Sequence, residues 1–193
     1  MRLCFATNNE HKLAEVRPLL PSSVELLSLQ EIGCSEELPE TQETLTGNAR
    51  QKAEYVWEHY GVPCFADDTG LEVAALGGAP GVYSARYAGP QRSAADNVAK
   101  LLQELQGASD RSAQFRTVIA LILPGNEQHE FDGAIEGSIT EEGHGQDGFG
   151  YDPIFQPQGH TQTFAEMTLA QKNTMSHRAR AVQQLVAFLQ KLA

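Results

Sequence analysis

Two adjacent carboxylates, Asp67 and Asp68, follow the apolar run Val62-Pro63-Cys64-Phe65-Ala66 and lead into Thr69-Gly70. An apolar run ending in charge reads as a strand that delivers a site to its tip, since strand ends and the loops after them present reactive groups on a rigid scaffold. Two neighbouring aspartates repel unless a cation or a proton sits between them. On an extended strand they point to opposite faces, so one can face a metal while the other supports it or polarises a water. Magnesium suits them because it takes oxygen ligands, typically one or two protein carboxylates completed by phosphate oxygens and water. The plainer reading is a capping pair opening a turn; the buried strand before it favours the site. Asp68-Thr69-Gly70 also spells the aspartic-protease triplet. Such proteases need two copies, or a dimer of short all-β chains, and this chain has one copy among several helical segments.

Other segments carry groups that suit a phosphorylated substrate. Thr7-Asn8-Asn9-Glu10-His11-Lys12 lies between a strand pattern and a helix pattern, where backbone N–H groups attract phosphate and Lys12 adds charge. Taken alone it reads as an Asn-capped helix with a solvated lysine, since the glycines and Lys-Ser/Thr of a Walker loop are missing. Glu40 sits in a loop, and Asn48 and Lys52 share a helix face at i, i+4. Gly77-Gly78-Ala79-Pro80-Gly81 leads through Tyr83 to the cation Arg86. Phe149-Gly150-Tyr151-Asp152 offers a ring to stack on and a carboxylate to read a base edge. Lys172, His177 and Arg178 add donors that suit carbonyl oxygens, with helix capping as the bland alternative.

The elements that must position these groups are legible as patterns. Arg2 to Ala6 reads as a strand and His11 to Leu20 as a helix with Leu13, Val16, Leu19 and Leu20 on one face. Val24 to Leu27 reads as a short strand. Thr44 to Tyr60 is helical, with Leu45, Ala49, Ala53, Val56 and Tyr60 in helical spacing. Ala94 to Leu105 is a further helix. Ala113 to Leu123 and Gln128 to Ile139 form a hairpin about Pro124-Gly125-Asn126-Glu127, and Ser176 to Leu192 is an amphipathic helix. Strand–helix units beside a long hairpin predict an α/β fold with a mixed, twisted sheet and flanking helices.

At 193 residues and 41% hydrophobic content, the chain suits a single domain spanning 1–193 with its own core. A net charge of −11 argues against nucleic acid and against an anionic membrane as partners, and it means that a polyanionic substrate needs cations gathered at one place. Cys4, Cys34 and Cys64 form no C-x-x-C pair and suit a reducing cytosol. The segment Leu3–Ala6 is too short for a signal sequence, and Val118–Leu123 falls well below the ~20 residues of a membrane span. A cytoplasmic protein is expected.

The ordered set of these motifs resembles the inosine triphosphate pyrophosphatase family, hydrolases of non-canonical purine nucleoside triphosphates. It runs from Thr7-Asn8-Asn9 with Lys12 and Glu15, through Asn48-Ala49 and Lys52-Ala53, to Ala66-Asp67-Asp68-Thr69-Gly70-Leu71-Glu72-Val73. It continues with Gly78-Ala79-Pro80-Gly81-Val82-Tyr83-Ser84-Ala85-Arg86-Tyr87 and Gly148 to Phe155, and closes with Thr163 to Glu166, Lys172-Asn173 and Ser176-His177-Arg178. The resemblance implies a two-lobed fold with the active site in the cleft between the lobes, and a homodimer. It also implies Mg²⁺-dependent hydrolysis of ITP, dITP or XTP to the monophosphate and pyrophosphate. Carried over by position, Asp68 is the general base, and Glu40 and Asp67 complete the metal site with it. Thr7 to Lys12, Lys52 and Thr69 become triphosphate contacts, Arg86 joins the substrate-binding set, and Phe149 to Asp152, Lys172, His177 and Arg178 form the base pocket. Asn9 stands where many members have glycine, Gln42-Glu43 where a glycine is common, and Thr69 where serine is frequent. Two other readings stay open at this point: a nucleotide-binding module without turnover, and a metal-dependent phosphatase acting on other nucleotides.

Overall fold

The computed structural model describes residues 1–192. The strands are β1 (Arg2–Phe5), β2 (Glu25–Leu27), β3 (Cys64–Val73), β4 (Pro80–Gly81), β5 (Ser112–Leu123), β6 (Glu127–Ile139) and β7 (Phe155–Pro157). The helices are α1 (Glu10–Val16), α2 (Leu45–Tyr60), α3 (Ala94–Glu104), α4 (Leu169–Lys172) and α5 (His177–Lys191). The chain forms two compact units: residues 1–68, 117–133 and from 178 onward make the first, and residues 69–116 and 134–177 the second. β3, β5 and β6 each give residues to both.

In the first unit the strands run β2-β1-β3-β5-β6, with β1 parallel to both β2 and β3. Side chains alternate strictly between two buried faces. Leu3, Phe5, Phe65, Ile119, Leu121 and Leu123 pack with Leu13 and Val16 of α1 and with Val182 and Leu185 of α5. Cys4, Ala6, Cys64, Ala66, Ala120 and Ile122 pack with Ala49, Ala53 and Val56 of α2. Both faces are covered, so these strands are continuous apolar runs. Phe5 stacks on Phe65, its register partner, with ring centroids 4.5 Å apart. Cys4, Cys34 and Cys64 are buried free thiols; burial, then neighbouring thiols, pushes Cys4 and Cys64 up to about 12. They are inert core residues.

The second unit is one-sided. Leu71, Val73, Phe115, Ile135, Ile139 and Phe155 pack with Leu101 and Leu105 of α3 and with Phe164. Glu72, Gln114, Glu136 and Ser138 alternate with them along the same strands and are at least partly exposed, as expected of a sheet with one solvated face. β4 pairs antiparallel with β3, and β7 with β6. Among the described residues, no helix is long and apolar enough to cross a membrane.

Two elements differ from the sequence expectation. The helix starting near His11 stops at Val16 instead of Leu20, and Arg17–Leu19 form a 3₁₀ turn. Pro18 causes this: it has no N–H to donate, and its ring clashes with the carbonyl four residues back. The second difference matters more. The sequence places Asp67 and Asp68 at a strand tip, whereas β3 continues through Thr69-Gly70 to Val73 and the aspartates sit mid-strand. Leu71 and Val73 are fully buried, Leu71 N donates to Ser84 Oγ at 2.9 Å, and Leu71 and Glu72 pair with Gly81 and Pro80. Tertiary pairing and burial outweigh the turn propensity of Thr-Gly.

Candidate active site

The alternation of β3 decides where each aspartate goes. Asp68 has the parity of Cys64 and Ala66 and faces α2; Asp67 has the parity of Phe65 and faces α1 and α5. The two carboxylates therefore enter different environments.

On the α2 side, Asn48 Nδ2 donates to Asp68 Oδ2 at 3.0 Å, while Asn48 Oδ1 accepts from Gln42 N at 2.9 Å. Thr41 N donates to Gln51 Oε1 at 2.9 Å, so α2 pins the loop that carries Glu40. Lys52 Nζ then lies 2.7 Å from Glu40 Oε1, 2.7 Å from the Asp67 carbonyl oxygen and 3.9 Å from Asp68 Oδ1. The first turn of α2 makes this loop possible. Thr44 caps it through Gly47 N, and a Cβ at Gly47 would lie 2.7 Å from Gln42 Cβ, inside contact distance. Burial raises the pKa of Asp68 and Glu40 adds to the rise; the opposing charges of Lys52 and Lys12 do not cancel it. Burial also works against charge on Lys52, but Asp68, Glu40 and Asp67 outweigh it and hold the ammonium protonated.

Asp67 has the opposite fate. Lys12 Nζ donates to Oδ1 at 2.7 Å and Arg178 Nε to Oδ2 at 3.0 Å, and the other arm of Arg178 pairs with Glu15. Glu15, Asp67 and Arg178 are all buried. Burial pushes Asp67 up, but Lys12, Arg178 and Lys52 overcome it and hold the carboxyl far below its ordinary value. Arg178, expected in the base pocket, thus has its guanidinium between two carboxylates of the first unit. Thr7 to Lys12 begins α1 with Asn9 as cap: Asn9 Oδ1 accepts from His11 N and Lys12 N, and Thr7 Oγ1 accepts from Asn9 N. Asn8, Glu10 and His11 are exposed.

The second unit gathers the other expected site residues. Asp152 Oδ2 accepts from Lys172 Nζ at 2.6 Å and from Phe149 N at 2.9 Å. A Cβ at Gly148, whose φ is +75°, would lie 2.2 Å from Asp152 Oδ2, so only glycine lets the loop close over that carboxylate. The Lys172 ammonium also lies 5.1 Å from the centre of the Phe149 ring. His177 stacks on Phe115 at 4.6 Å. Tyr151 is a core residue whose hydroxyl donates to the Ser84 carbonyl at 2.8 Å. Gly150 takes φ +61°, Thr69 is half-buried on β3 beside Asp68, and Arg86 lies 5.2 Å above the exposed Tyr83 ring. A separate groove of about 720 Å³, lined by Glu72, Gln114, Glu136 and His160 among others, contains none of the expected site residues.

Whether the α2-side cluster fits a divalent cation can be judged from its donors. Glu40 and Asp68 put two carboxylates against one lysine, a net charge of −1, and burial leaves Asp68 with its charge incompletely offset. Added positive charge is what such a pair lacks. Among the described residues no three His, Cys, Asp or Glu side chains converge as a ready-made cage. Two carboxylates completed by substrate phosphates and water is the mode magnesium favours, so the donor set fits.

Sequence reasoning gave no role to Asn48 or Glu15. Asn48 had a signal, its i, i+4 spacing to Lys52. Glu15 had a weaker one: it lies three residues after Lys12 and beside Val16 on a seven-residue helix, at the edge of the buried face.

Comparisons with known proteins agree with the motif resemblance. The Ham1 family matches residues 3–188. A protein of Flavobacterium johnsoniae named dITP/XTP pyrophosphatase is 56% identical over 189 residues, covering 98% of each chain. One of Porphyromonas gingivalis with the same name is 58% identical over 97% of each. The solved Ham1 protein of Staphylococcus aureus superposes with a TM-score of 0.90 at 37% identity over the whole of both chains. That of Coxiella burnetii also gives 0.90, at 39% identity over 99% of each. The mixed α/β fold is theirs too, and with matches of this length and identity the chain belongs to the Ham1 family.

Proposed function

We propose that this protein hydrolyses non-canonical purine nucleoside triphosphates (ITP, dITP and XTP) to the nucleoside monophosphate and pyrophosphate. The observation that carries the reading is Asp68: a buried carboxylate, oriented by Asn48, raised in pKa, and set beside the Glu40–Lys52 pair. A base must sit near the operating pH to take a proton efficiently, and burial moves Asp68 in that direction. Asp68 orients a water and takes its proton as the oxygen attacks the α-phosphorus; the bond to the bridging oxygen breaks and pyrophosphate leaves. Lys52 and Lys12 neutralise phosphate charge, so positioning and electrostatics supply most of the rate. Mg²⁺ would be held by Glu40 and Asp68, and when bound it supplies charge neutralisation at the phosphate oxygens.

The base-recognition residues of this reading are Phe149, Asp152, Lys172 and His177. Phe149 gives a face for stacking, and Lys172, fixed by Asp152, is a donor suited to the 6-oxo group of hypoxanthine and xanthine. Adenine presents a donor at that position, and a site built for one hydrogen-bond pattern rejects the other strongly. Arg178 is assigned instead to the support of the phosphate-binding side through Asp67. A cytoplasmic homodimer completes the reading, with light scattering as the check on its mass.

The deciding experiment is a nucleotide panel with product identification. Purified protein with Mg²⁺ is expected to convert ITP, dITP and XTP to monophosphate and pyrophosphate while leaving ATP largely intact. Orthophosphate released directly from monophosphates, or binding without any product, would overturn the proposal.

A further inference from the structure

We infer that Asp67 is a positioning residue for Lys12 and lies outside the metal-binding set, an assignment that rests on the hydrolase reading above. The sequence alone groups Asp67 with Asp68 as two acids on one ion. The fold separates them by face: Asp68 meets α2, and Asp67 meets α1 and α5. Each carboxylate oxygen of Asp67 already accepts from a cation, Oδ1 from Lys12 and Oδ2 from Arg178. Glu15 holds the far arm of Arg178, so a buried relay Glu15–Arg178–Asp67–Lys12 runs to a lysine that keeps a partly exposed side chain. Charge-assisted bonds in a dry setting fix direction as well as energy. Lys12 has a long, flexible side chain with rotamer freedom to lose on binding a phosphate; tethering its ammonium to Asp67 removes much of that freedom in advance. The relay also sets where the charge stands, because Arg178 cannot shift while Glu15 holds it. Asp67 thereby acts on the substrate only through Lys12.

The test separates a ligand from a tether by two readouts that do not need turnover. One is the affinity for α,β-methylene inosine triphosphate without metal, by calorimetry; the other is Mn²⁺ binding at saturating analogue, by electron paramagnetic resonance. Asp67→Asn is expected to weaken analogue affinity about tenfold while Mn²⁺ affinity stays within about twofold of wild type. Glu40→Gln is expected to weaken Mn²⁺ instead. Loss of Mn²⁺ affinity in Asp67→Asn matching that of Glu40→Gln would make Asp67 a ligand and overturn the inference. Unchanged analogue affinity would overturn it too, reducing the relay to a packing feature. If circular dichroism finds Asp67→Asn unfolded, Glu15→Gln takes its place: a smaller loss of analogue affinity at constant Mn²⁺ binding supports the relay, and no loss sinks it. Wild-type protein that binds the analogue yet releases no pyrophosphate from ITP refutes the hydrolase reading alone, since both readouts still judge Asp67.

Discussion

Replacing Asp68 with Asn tests catalysis and electrostatics in one variant, with changes of opposite sign. Asn keeps the shape of the side chain and an oxygen to accept from Asn48 Nδ2, so the 3.0 Å bond that orients the residue survives. It cannot take a proton from water. A positioned base contributes about 10²–10⁴-fold, so kcat at saturating Mg²⁺ is expected to fall by at least that range. Stability should move the other way. Burial raises the folded pKa of Asp68, so the folded state favours the protonated carboxyl more than the unfolded chain does. The resulting stabilisation is complete below the unfolded value and is lost as pH rises through the folded one. At pH 8 the wild-type protein has lost it, whereas the neutral Asn has no charge to desolvate. The variant is therefore expected to melt higher than wild type at pH 8, with the gap closing as the pH falls below about 4. For a chain of this length, 1 kcal/mol appears as about 2–4 °C in Tm, within reach of calorimetry. A variant whose kcat stays within about tenfold of wild type would remove Asp68 from the base role. A variant that melts lower at pH 8 would show that the raised pKa is not a cost of the buried charge.

Other outcomes follow from the same contacts. Lys52→Met leaves Glu40 without its 2.7 Å partner and Asp68 without its nearest cation; breaking a buried pair from one side costs about 3–5 kcal/mol, to be read as a lowered urea midpoint together with loss of turnover. Gly148→Ala puts a Cβ where Asp152 Oδ2 lies and a side chain on a φ of +75°. It should raise KM for ITP more than it lowers kcat, and an unchanged KM would separate this loop from base recognition. Asn48→Ala removes the donor to Asp68 and the acceptor for Gln42 N together; a kcat loss of about tenfold or more, which no added Mg²⁺ restores, is expected from a mis-set base. Asp67, whose carboxyl is depressed because cations outweigh its burial, contributes stability that is present above the unfolded pKa and lost as pH falls through the folded one. The destabilisation of Asp67→Asn should accordingly be full at pH 7 and shrink as the pH drops below about 4, measured by urea unfolding at each pH.

The long elements were readable because their periodicity is their burial. Leu45, Ala49, Ala53 and Val56 mark the buried stripe of α2, and the apolar run of β5 is the part sandwiched between helices. Short elements gave no such pattern: β4 has two residues and α4 four, and both are held by partners remote in sequence. The end of β3 misread because Thr69-Gly70 is a turn by local preference and a strand by pairing. The same division holds for the site. Asn48 and Lys52 share a face that helical spacing exposes. The bonds of Arg178 to Asp67 and Glu15 span 111 and 163 residues, so no spacing rule could join them. That is why the sequence placed Arg178 beside His177 in the base pocket without showing its bonds to Asp67 and Glu15.

Two carboxylates adjacent in sequence are usually pictured as one negative site, but here the strand turns them to opposite faces with different hydrogen-bond partners, although Lys12 and Lys52 act on both. A two-residue period sends the Asp67 carboxylate to Lys12 and Arg178 and turns Asp68 toward Asn48 and the lysine shared with Glu40, and their pKa values move apart. Separated values are what acid–base chemistry at neutral pH requires of paired groups: one fully ionised to hold a lysine in place, one reluctant enough to accept a proton. The separation depends on register. Slipping β3 by one residue would exchange the two faces, placing the reluctant acid among the cations and the anchor against Asn48. Stacking of Phe5 on Phe65 and the pairing of Cys4 with Cys64 fix that register two to four residues before the aspartates. The apolar start of β3 thus bears on the proposed chemistry, because it decides which aspartate stands against Asn48, where the proposed base belongs.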